Sequence, residues 1–255
     1  MPNYVRARIT VSGDQKMIDQ LVDHVKTTFT ENGKETVIPF DFNKIIPMPE
    51  SLDIIDSSDG HNGMKYLLLN GKSSVGVTGD DFAFLQEMDK IRKTDPKRFD
   101  DMIDLGRKYL HNIAEHGFPT WYGWRAKNWG TKWNACDTQT DGNGCFEFDT
   151  AWAFPFPVIE KLAEMYPDLD IDFIYADEDC GCNTGEGTFS GGEIVEEEYP
   201  DPCTESAYEI YDECWQNEFF YKDPDGEWRW HDDIKEDSDG IEESTDPISG
   251  VLETE

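Results

Sequence analysis

Between Tyr4 and Ser12 apolar and polar side chains alternate, with Val5, Ala7, Ile9 and Val11 set against Arg6, Arg8 and Thr10. That is the period of a half-buried strand. After Gly13, Asp14 is placed to cap an amphipathic helix predicted to run to about residue 30, because Ile18, Leu21, Val22, Val25 and Phe29 recur at helical spacing. Residues 40–49 are apolar but broken by Pro47 and Pro49, so they read as an extended segment laid on the core. Residues 57–63 have a loop-like composition. Helical patterns follow at about 80–93 and 96–113, the second opening on Pro96 and carrying Phe99, Met102, Ile103, Leu105, Tyr109 and Leu110.

A short helix is predicted from Trp121 to Trp129, stopped by Gly130. A hairpin of 131–138 and 144–152 comes next, turning through 139–143, with Phe146 and Phe148 on one face and Glu147 and Asp149 on the other. Val158, Ile159, Leu162 and Met165 mark the inward face of a helix over 156–166, and residues 170–177 make a last core strand. The order is β-α-(helical insertion)-β-β-α-β. It predicts an α+β protein with a ferredoxin-like, split βαβ core, an insertion at about 57–118, and both core helices on one face of a four-stranded antiparallel sheet. Past residue 176, residues 185–197 suggest a further hairpin and 205–218 a helix docked on the core through Tyr208, Ile210, Tyr211 and Trp215. Beyond 223 the chain is an acidic extension with Trp228 and Trp230 as anchors, and residues 237–255 carry too little apolar content to fold alone.

Several stretches carry a specific resemblance. They are the opening through Val11, Ser12 and Gly13, the run from Phe40 to Pro49, the block Trp121, Tyr122, Trp124, Arg125, and the run Asn128, Trp129, Gly130, Thr131, Lys132, Trp133, Asn134, Ala135. Phe148, Asp149, Thr150, Ala151 and Trp152, with the helix entered at Pro157, Val158 and Ile159, complete it. Over about residues 1–175 the sequence resembles the YubB ferredoxin-like family of phage and plasmid proteins, and departs from it after about 176. The resemblance implies a ferredoxin-like fold and a phage or plasmid setting in a bacterial host, where the chain is expected in the cytoplasm. It supplies no catalytic residues and no cofactor.

Charge is spread unevenly along the chain. Of a net charge of -33, residues 1–166 carry -6 and residues 167–255 carry -27, the latter from 30 acidic and 3 basic side chains. Such a surface repels phosphate backbones, so direct nucleic-acid binding and anionic membranes are disfavoured. It is either a solubilising face or one that engages a basic partner, for instance by imitating the charge of DNA. Glu193, Glu196, Glu197 and Glu198 are its densest cluster. No stretch approaches the roughly 18 to 20 apolar residues that span a bilayer, and the first residues lack a basic segment followed by an apolar one. The chain is therefore expected to be neither exported nor membrane-inserted, with reduced thiols.

Three kinds of chemistry remain. Trp121, Trp124, Trp129 and Trp133, interleaved with Arg125, Asn128, Lys132 and Asn134, could stack a base or sugar and fix its polar edges, or could seal the helix and hairpin onto the core. At the surface, Arg125 would cost within about 0.5 kcal/mol on removal. Asp149 with Lys132 and Asn134 is the one acid-base constellation on offer for a hydrolase or transferase. Cys136, Cys145, Cys180 and Cys182 are the weak alternative for a structural metal, because a single residue separates the last pair and Asp177, Glu178 and Asp179 oppose thiolate formation. The leading expectation is a non-enzymatic accessory protein that binds a basic host or phage protein, in a role against host defence. The next is a binder of a nucleotide-like ligand.

Overall fold

The computed structural model describes residues 3–31, 33–70, 78–216, 220–222 and 228–230. Met1–Cys214 form one compact unit, and Trp215–Glu255 a second. In the first unit, strand β1 (Tyr4–Ser12) buries Val5, Ala7, Ile9 and Val11, as its alternation requires. Helix α1 (Gln15–Val25) starts where the Asp14 carboxylate accepts from Met17 N at 3.2 Å, and turns Ile18, Leu21 and Val25 inward. It stops five residues short of the expected end. Thr27, Thr28 and Thr30 are β-branched residues that prefer a pleated chain, and Thr27–Glu31 (β2) instead pairs with Lys34–Ile38 (β3) as a separate hairpin. Phe29 is consequently exposed rather than part of a helical face.

The 40–49 segment is not wholly extended. Asp41 caps a single turn, α2 (Phe42–Ile45), that places Phe42 beside Phe40 in the core. Among the described residues the insertion has three helices, α3 (Ser58–Asn70), α4 (Gly79–Thr94) and α5 (Pro96–His116). The first of these replaces the expected loop at 57–63. Gly60 and Gly63 look like loop residues in sequence, yet they are buried where α3 crosses α5. Met88, Phe99, Met102 and Ile103 form a small core of this insertion's own.

After α6 (Trp121–Asn128), strands β4 (Cys136–Thr140) and β5 (Cys145–Ala151), helix α7 (Phe156–Met165) and strand β6 (Asp170–Asp177) complete the ferredoxin-like core. β7 (Gly185–Ser190) and β8 (Glu193–Glu198) extend the sheet to the order β4-β5-β1-β6-β7-β8, antiparallel throughout. The first four strands in that order are the ferredoxin-like arrangement, and the hairpin adds two more at the β6 edge. α1 and α7 pack on one face, sharing a cluster with Phe146, Phe148, Ile171 and Phe173. Met165 is exposed where an inward position was expected, and Ala163 is buried in its stead. Helix α8 (Glu205–Trp215) buries Ala207, Ile210, Tyr211 and Cys214.

In the second unit, β9 (Phe220–Lys222) pairs with β10 (Trp228–Trp230), so both tryptophans expected as anchors lie on a strand. The tail expected at 237–255 lies outside the described residues. Among the described residues no helix is long and apolar enough to cross a membrane.

Candidate functional site

The tryptophan block divides into a structural half and an open half. α6 begins at Thr120, whose hydroxyl accepts from Tyr122 N at 3.4 Å, and its inward side chain, Trp124, meets Trp129 edge to face at 5.9 Å. Trp129 is fully buried, and its indole N–H donates to Ile46 O at 2.9 Å. Asn128 donates to Trp124 O at 2.8 Å, closing the helix. Asn134 accepts from Phe42 N at 2.9 Å and donates to Asp41 at 2.8 Å. These bonds hold residues 131–135 against α2 instead of in a strand, which is why β4 starts only at Cys136. Trp124, Trp129, Asn128 and Asn134 are therefore part of the fold's frame.

Arg125 is not the surface residue that its type suggested. Its guanidinium lies over the rings of both Trp121 and Trp129, at 5.0 and 4.9 Å, with Nε 3.4 Å from the Met48 sulfur. Burial pulls its pKa below the ordinary arginine value. Arg125→Ala is expected to cost about 1–2 kcal/mol, since a desolvated cation–π contact and its packing are lost together. A urea melt indistinguishable from wild type would remove it from the frame.

The open half centres on Lys132, whose ammonium lies 4.9 Å from the Trp152 ring, 5.2 Å from Trp133 and 5.4 Å from Tyr122. Tyr122 and Trp152 are 40% and 47% exposed. Trp152 holds a left-handed backbone at φ 72°, a conformation uncommon for a bulky residue. Sequence reasoning missed it because it stands nineteen residues beyond the block.

A second surface lies across the outer face of the sheet. Partners in register share a face, so Arg8 with Ile174, Thr10 with Asp172, Asp172 with Thr188, Ile174 with Glu186, Glu186 with Glu198 and Thr188 with Glu196 all point outward. α8 brings Glu213 to the same face. Together they line a cleft of about 490 Å³ with Asp172, Glu186, Glu196, Glu198 and Glu213 against a single Arg8. That arginine is already held by Glu213, with Glu147 at 3.9 Å. Thr188 donates to Asp172 at 2.7 Å. Of the expected glutamate cluster, Glu193 shares this face opposite Ser190. Glu197 alternates away, and its carboxylate accepts from the Tyr199 hydroxyl at 2.8 Å.

Burial raises the Glu186 pKa, and Glu198, Glu213 and Glu196 raise it further. A carboxyl with a raised folded pKa contributes stability that is present below its unfolded value, about 4.3, and is lost as the pH rises through the folded one. Glu186→Gln is thus expected to melt above wild type at pH 7, with the gap closing as the pH falls toward 4. A constant gap across that range would show that the charge of Glu186 is not what costs stability.

Residues 128–219 match the family model described as a ferredoxin-like domain in Api92-like protein. The chain carries a ferredoxin-like domain similar to that of Api92-like proteins. The match passes residue 176, where the resemblance to the YubB family was expected to end, and takes in β7, β8 and α8, so the carboxylates of the cleft fall in the matched region while Arg8 and Thr10 on β1 lie outside it. A solved structure of protein api92 from Yersinia pseudotuberculosis overlaps 80% of this chain and 100% of its own, at 10% identity and a TM-score of 0.37. No curated protein matches the chain.

Within this ferredoxin-like sheet the remaining candidates are separated. Asp149 is buried on the outer face, and its two oxygens accept from Arg6 at 2.9 and 3.1 Å. Its carboxylate is thereby occupied, while Asn134 is spent on Asp41 and Lys132 on the three rings, so the acid-base constellation does not assemble. The four cysteines do not gather either. Cys136 donates to Asp149 O at 3.1 Å. Cys145 pairs with Thr10, whereas Cys180 comes two residues after Glu178, whose N–H donates to Tyr4 O at the opposite end of β1, about 20 Å of strand away. Among the described residues no group of three or more His, Cys, Asp or Glu side chains is arranged to hold a metal ion.

Proposed function

We propose that this protein acts by binding a basic segment of another protein on its outer sheet face, as a YubB-like accessory protein of a phage or plasmid in the cytoplasm of its bacterial host. The observation that carries the reading is the cleft, where five carboxylates face one arginine that is already paired. Glu186 and Glu198 stand directly opposite each other across β7 and β8. Like charges in that position repel, and a cationic partner relieves the repulsion. β8 supplies the backbone for such a partner. Among the described residues it is the last strand in its sheet, with all six residues exposed, and its outer edge offers N–H and C=O groups that accept an added strand. Lysines or arginines alternating along that added strand fall within cross-strand reach of Glu196 and Glu198. A role against host defence is the use that fits a mobile element.

Nucleic acid fits the same face poorly. Its outward side chains on β5 and β6 include Glu147, Asp149 and Asp172, where base-stacking sheets carry aromatic and basic groups, and the two arginines of β1, Arg6 and Arg8, are held by Asp149 and by Glu213. The exposed Tyr122 and Trp152 around Lys132 favour a second reading, a stacking site for a nucleotide-like ligand. The two are separated by cross-linking in host cells with a reagent that joins carboxylates to lysines. Links from Glu196 or Glu198 to lysines of one partner protein support the first. If carboxylate links are absent while an aromatic anion protects Trp152 from oxidation, the second replaces it.

A further inference from the structure

The cysteines that do meet are a different set from the one sequence spacing suggested. The turn after β6 folds back through Cys182 N to Asp179 O at 2.9 Å, and the segment entering α8 is tied to it by Cys203 N to Gly181 O at 2.9 Å. Gly181 is left-handed at φ +69°, and a Cβ there would fall 2.7 Å from the Tyr208 ring, so the turn is pinned against α8. Cys203 is also left-handed, at φ 61°, and is exposed. The carbonyl that accepts from Cys203 N immediately precedes Cys182, so the two cysteines stand side by side on facing backbone segments.

We propose that Cys182 and Cys203 are a redox-sensitive pair that closes to an intramolecular disulfide, clipping the turn after β6 to the entrance of α8. The oxidant is a low-molecular-weight disulfide such as oxidised glutathione. Cys203, the exposed thiol, attacks one of its sulfurs to form a mixed disulfide and release one small thiol. Cys182 then attacks the Cys203 sulfur and releases the second. Two electrons pass to the oxidant's S–S bond, and the two protein thiol protons end on the two released thiols. Cys180 is the third thiol nearby; burial pushes its pKa up to about 11 and raises that of Cys182 as well, so the exposed Cys203 makes the first attack. A closed link turns the β7 and β8 hairpin into a covalent loop and fixes the helix that carries Glu213. The effect on the cleft rests on the functional reading above, whereas the disulfide itself does not.

The test uses the full chain equilibrated in mixtures of reduced and oxidised glutathione, quenched with an alkylating reagent and mapped by peptide mass spectrometry. A peptide linked through Cys182 and Cys203 is expected in oxidising mixtures and lost in reducing ones, with a higher melting temperature for the oxidised form. Cys180→Ser should retain the link and Cys203→Ser should abolish it. Full alkylation of both cysteines under oxidising conditions, or a link that runs through Cys180 or between two chains, overturns the proposal. Affinity for a lysine-rich peptide, measured on both redox forms, tests the coupling separately. Equal affinities would remove the coupling and leave the disulfide standing.

Discussion

Gly106→Ala is expected to lower the stability of the helical insertion by about 3 kcal/mol or more, and Gly63→Ala by at least as much. At the crossing of α3 and α5, a Cβ on Gly106 would lie 2.4 Å from Gly63 C and Met64 N, and one on Gly63 would lie 1.8 Å from Met102 O. These neighbours are backbone atoms, which cannot rotate away as a flexible side chain would. The helices must separate, which pulls Met102 and Ile103 out of their contacts with Met88 and Phe99. Overpacking a well-fitted core costs about 1–3 kcal/mol and occasionally more. A rigid backbone clash belongs at the upper end, well beyond the ~1 kcal/mol that alanine gains over glycine in a helix. Thermal melts followed by circular dichroism read this as a drop of about 6–12 °C. Gly79→Ala is the control, since it opens α4 and has nothing within 4 Å, and it should melt at or above wild type. A Gly106→Ala melt equal to wild type would mean that α3 and α5 do not cross at these glycines.

The same glycines show what the sequence could and could not reveal. β1 and α7 were legible because one side of each is buried and one exposed, so the period is written in the residues themselves, and the β7 and β8 hairpin because Gly191 and Gly192 mark its turn. α3 was not, because Gly60 and Gly63 reflect a close approach by α5, some forty residues away, and in isolation read as loop. Thr27–Glu31 left the helix for a strand because local β-branching outweighed one apolar residue, Phe29, at helical spacing. At the candidate sites, residue type was legible and partnership was not. Trp129 and Asn134 look like binding groups until Ile46, Phe42 and Asp41 take their hydrogen bonds. Glu186 and Glu213 drew no notice among so many carboxylates, and it is strand register with the placement of α8 that brings them to one cleft.

The other large effect is on binding. Replacing Glu196 and Glu198 together by lysine should leave the fold in place, because both are exposed on an outer strand, and such changes usually stay within about 0.5 kcal/mol. The exchange even removes the repulsion between Glu198 and Glu186. Affinity for a basic partner should collapse, because each reversal loses an attraction and adds a repulsion. A loss of about 1.4 kcal/mol at each site multiplies to roughly 100-fold. The effect should shrink as salt rises, since the screening length falls to about 8 Å at physiological ionic strength.

The most direct measurement is a calorimetric titration of the full chain with an extended peptide that alternates lysine with β-branched residues, against the same peptide with each lysine replaced by glutamine. The account predicts saturable binding of the lysine peptide that weakens with added salt and drops about 100-fold in the Glu196→Lys, Glu198→Lys protein, with no measurable binding of the glutamine peptide. Equal binding of the two peptides, or a lysine-peptide affinity untouched by the double reversal, would contradict it.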